Sequence, residues 1–69
     1  MSHLNSIIDA DQRIYYVVQV RGDYGWEVWN TKGCQIDAVR SMADARYKHP
    51  EQEFQISVEN EYGEVLAVL

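Results

Sequence analysis

Only one cysteine and one proline occur among the 69 residues, and no lysine or arginine follows Lys48. Each shortage excludes something. A lone Cys34 rules out an internal disulfide, and neither His3 nor His49 has cysteine partners at zinc-ligand spacing, so no metal or cofactor is expected. Basic residues are what displace counterions from phosphate, and with six of them against eleven acids, direct nucleic-acid binding is disfavoured. No run is apolar enough to span a bilayer or to form a signal-peptide core, which places the expected compartment in the cytoplasm. A chain this short buries only roughly 60% of its unfolded surface, so with no staple visible its stability is expected to lean on self-association or on a partner.

What is present is strand-rich. Arg13 to Arg21 is dominated by β-branched and aromatic residues, Trp26 to Trp29 returns after the Gly22-Asp23-Tyr24-Gly25 turn, and Glu53 to Glu59 alternates polar and apolar. Two Asn-x-x-Gly segments, Asn30 to Gly33 and Asn60 to Gly63, read as hairpin loops closed by a glycine at positive φ. The first would release a third strand, Cys34 to Arg40, followed by a helix that Ser41 caps through the N–H of Asp44. A single helix from about Ile36 to Lys48 competes, because Ile36, Val39, Ala43 and Tyr47 share a helical face. Lys48, His49 and Pro50 end the helix on either reading. The expected architecture is α+β: one domain over residues 13–69, a mostly antiparallel βββαββ sheet with one short helix on one face, and a flexible or loosely docked segment at 1–12.

One short helix covers one side of a sheet. Tyr15, Val17 and Trp29, with Tyr24 and Tyr62 at loop tips, are therefore candidates for an apolar patch on the open side, of the kind that anchors a partner. The alternative is that the N-terminal segment folds over this side and completes a second core. Glu51, Glu53, Glu59, Glu61 and Glu64 form a wholly acidic end, either a solvated hairpin or a lobe facing a basic protein surface, including one that normally holds nucleic acid. Glu59, Glu61 and Glu64 join the candidate partner-binding residues. No catalytic grouping emerges. Cys34 has no histidine nearby and reads as a small buried apolar residue, His49 as a helix-end residue, and Asp9 with Asp11 or Glu59 with Glu61 as isolated acid pairs. An enzyme is not expected.

Gln35-Ile36-Asp37-Ala38, Ser41-Met42-Ala43-Asp44-Ala45-Arg46, Gln55 to Asn60 and Gly63 to Ala67 together resemble the strand, capped helix and terminal hairpin of small phage anti-CRISPR proteins. That resemblance spans residues 35–67, about half the chain, and implies a non-enzymatic phage or prophage accessory protein that occludes a functional surface of a host protein or complex. A second layout, Tyr16-Val17-Val18, Gly25-Trp26-x-Val28, Gly33-Cys34 and Ser41-x-x-Asp44-Ala45, is similar to HicB-type antitoxin domains, without their Pro-rich approach or DNA-binding tail. It implies sequestration of a toxin. A third reading makes the open sheet face a homodimer interface in a structural protein.

Overall fold

The computed structural model describes residues 13–69; the expectations for 1–12, Asp9 and Asp11 among them, lie outside the described residues. The β-branched run folds as β1 (Ile14–Gly22) and turns at Asp23-Tyr24 into β2 (Gly25–Lys32). Gly25 takes φ +132°, a conformation that side chains resist, which suits glycine to this turn. Helix α1 (Gln35–Lys48) follows, then β3 (Phe54–Asn60) and β4 (Val65–Val68). All neighbours in the sheet are antiparallel, in the order β2-β1-β3-β4. The α+β class is as expected, but the order is ββαββ rather than βββαββ.

The expected third strand is the start of the helix. Gly33 does not take a positive φ, so the first Asn-x-x-Gly segment joins a strand to a helix and does not close a hairpin. Cys34 occupies the N-cap with extended backbone and is exposed rather than buried; Ser41 sits in mid-helix, where its Oγ accepts from Asn30 Nδ2 at 2.7 Å. The buried stripe explains why the helix prevails. Ala38, Met42 and Ala45 recur at i, i+4 and i+7, and their small or flexible side chains let α1 lie close on the sheet against Val18, Val20, Phe54 and Ile56. An acid in the first turn, Asp37, and bases in the last, Arg46 and Lys48, complement the helix dipole. The helix stops at Lys48, with the His49 N–H on the Ala45 carbonyl and Pro50 beyond.

The helix packs on β1, β2 and β3 and does not reach β4. Both edge strands carry a bulge, at Trp29 in β2 and at Leu66 in β4, which interrupts the regular ladder that an open edge would offer to another chain. No helix among the described residues is long and apolar enough to cross a membrane.

Candidate partner-binding surface

Pairing register decides which side chains share a face. Tyr16, Val18 and Val20 oppose Val58, Ile56 and Phe54 beneath the helix, so Tyr15, Val17 and Gln19, opposite Glu59, Ser57 and Gln55, belong to the open face. The row Thr31, Val17, Ser57, Val68 crosses all four strands on that side. Val17 is only 6% exposed and Ser57 is buried as well, so Val17 is no free anchor. Beside this row Gln55 Nε2 donates to Gln19 Oε1 at 2.7 Å, a polar pair in mid-face.

Trp29 lies on the other side of the sheet. Val18 pairs with Asn30 and Gln19 with Val28, which leaves Trp29 as the extra residue of the bulge. Simple alternation would put it beside Tyr15 and Val17; the bulge instead directs it to the helix side. There its ring meets Phe54 and His49 edge-on at centroid distances of 5.3 and 5.4 Å, covering the C-terminal end of α1. The same shift brings Trp26 and Val28 to the open face, where Arg21 stacks over Trp26 at 5.7 Å. Tyr24 is fully exposed at the β1–β2 turn. That turn and the Tyr62 loop cap opposite ends of β1, whose nine residues span roughly 30 Å. Tyr24, Trp29 and Tyr62 therefore form no common patch.

What the fold does bring together is the β3–β4 end. Asn60 builds the loop: its Oδ1 accepts from the N–H groups of Tyr62 and Glu64 at 2.9 and 3.0 Å, and its Nδ2 donates to Glu64 Oε1 at 3.0 Å. Its carbonyl accepts from the Gly63 N–H at 3.1 Å, the closure expected of the motif, and Gly63 takes φ +79°. Tyr62 projects from this braced loop, 80% exposed, next to the exposed Glu61 and Glu64. Half-buried Glu59 and Tyr15 pair at the adjoining edge of the open face. Val65 and Val68, which pair with Glu59 and Ser57 on the open face, and Leu66 at the bulge extend the surface along β4, each about half exposed. These aliphatic residues were missed as site residues, and their signal was the run Val65 to Leu69, which contains no charge.

Elsewhere the chemistry is sparse. An open groove of about 490 Å³ is lined by Arg46, Pro50, Gln52, Glu53 and Phe54, and the Arg46 guanidinium donates to the Phe54 carbonyl at 3.3 Å. Among the described residues no three of His, Cys, Asp and Glu are grouped to hold a metal ion. Comparison with protein-family models, with curated proteins and with solved structures finds no match.

Proposed function

We propose that this chain is a non-enzymatic protein-binding module that presents the β3–β4 end to a basic surface of its partner. The observation that carries the reading is the braced loop: an exposed Tyr62 held by Asn60, with Glu59, Glu61 and Glu64 around it and uncovered aliphatic side chains behind it. An aromatic tip on an aliphatic base supplies the desolvated contact, and the carboxylates steer encounter and exclude acidic competitors. Occlusion of a host protein's or complex's functional surface is the mode of action implied by the resemblance to small phage accessory inhibitors, and the module needs no catalytic group to achieve it.

Affinity capture with the whole protein tests this, read by quantitative mass spectrometry at low and high salt. Glu59→Lys combined with Glu61→Lys leaves the Glu64 brace intact and should strip off the partner and flatten its salt dependence. Tyr62→Ala should weaken capture about tenfold or more at all salt concentrations. Identical captured proteins for the wild type and both variants would dismiss this end as the binding surface.

A further inference from the structure

We propose that the outward face of α1 is a self-association seam, on which two copies of this chain pair their helices antiparallel about a twofold axis. Ile36, Val39, Ala43 and Tyr47 recur at i, i+3, i+7 and i+11 and fall on one stripe of the helix, roughly opposite the stripe of Ala38, Met42 and Ala45 that the sheet covers. Ile36 is 64% exposed, Val39 44% and Tyr47 87%. A helix apolar on two opposite faces is the pattern of one packed on both sides, and the sheet covers only one.

The occupant follows from the symmetry of the stripe and from the charge around it. In antiparallel register Ile36 meets Tyr47 of the second copy and Val39 meets Ala43, each contact made twice, which is the self-complementarity that an isologous interface requires. On one flank Arg40 lies opposite Asp44 of the second copy, again twice. Among the described residues Asp44 pairs with Lys48 at 3.1 Å, and both of these side chains are about two-thirds exposed. Charge also selects the helix over the other uncovered element. Between Gln35 and Lys48 three bases offset two acids, whereas from Glu51 onward every charged side chain is acidic, so copies meeting through β4 would repel. This seam lies apart from the β3–β4 end and stands or falls separately from partner capture.

Sedimentation equilibrium of the whole chain over the micromolar range provides the test, with far-UV circular dichroism to check folding. The expected result is a monomer–dimer equilibrium whose dissociation constant rises about tenfold or more with Val39→Glu and with Tyr47→Ala, as for removal of central interface anchors. Arg40→Asp and Asp44→Arg should each weaken the dimer, and the two together in one chain should restore it, because the swap recreates both symmetric pairs. Val28→Glu, on the far side of the sheet, should leave it unchanged. A wild-type chain that stays monomeric at high micromolar concentration, a dimer indifferent to Val39→Glu, or a double swap no better than its singles would overturn the proposal. So would a dimer lost on Val28→Glu, since that places the interface on the open sheet face.

Discussion

At the scale of single residues, two side chains carry structural work that their types alone do not announce. Trp29 has the exposure of a half-covered surface aromatic, yet it closes the end of the core through Phe54 and His49. Trp29→Ala should lower stability by about 2 kcal/mol, below the cost for a fully buried aromatic because part of the ring already meets water. Denaturant titration measures this, and partner capture by the folded fraction should be unaffected. Asn60 supplies one acceptor and one donor to its own loop. Asn60→Ala should cost about 1–2 kcal/mol and speed amide exchange at Tyr62 and Glu64, whose N–H groups lose their acceptor. The Asn-x-x-Gly spelling was legible at both sites, but only at Asn60 does the chain fold back as a hairpin. At Asn30 the side chain reaches Ser41 on the helix instead.

At the scale of elements, α1 is the informative one, because its two apolar stripes have different consequences. Ala38 and Ala45 are fully buried against the sheet, where enlarging a side chain forces the helix away from Val18 and Ile56. Ala45→Leu should therefore destabilise by about 1–3 kcal/mol, while Ala43→Leu, one stripe away and exposed, should be near neutral for folding. Thermal melts of the two variants separate these outcomes. Ile36, Val39, Ala43 and Tyr47 carried the competing helical reading, against the expected strand from Cys34 to Arg40; the helix prevails, and that face looks outward. A weak amphipathic signal arose because the core-facing stripe is built of alanines, which register poorly as apolar. The strands were more legible: β1 and β3 lie within one residue of their expected bounds, since alternation and β-branching are local properties.

At the scale of the whole molecule, charge and coverage are divided between two ends and two faces. The helix side carries the mixed charges and the proposed seam, and the β3–β4 end carries the acids and the aromatic tip. A twofold dimer through α1 would display two acidic ends, so partner binding to an immobilised surface should tighten with chain concentration through avidity, and Val39→Glu should abolish that gain without altering single-site affinity. Binding measured on sparse and dense partner surfaces checks this. Equal affinity on both, in a chain shown to dimerise, would mean that the two ends cannot engage together.

The sequence by itself determined the strand positions β1 and β3, the helix stop at Pro50, the Asn60 turn and the one-sided charge map, because each follows from periodicity, backbone restriction or composition within a few residues. Only the tertiary structure decided which way those elements face. Helix α1 replaces a third strand because the chain must cross over the sheet to lay β3 beside β1, and small residues at 38 and 45 let it do so. One extra residue in β2 sends Trp29 to the core side, and the pairing of β4 with β3 sets Val65 and Val68 on the open face, in solvent. Register depends on partners distant in the chain, which is why Val17 and Trp29 do not join Tyr62, Glu59, Glu61 and Glu64 in one surface.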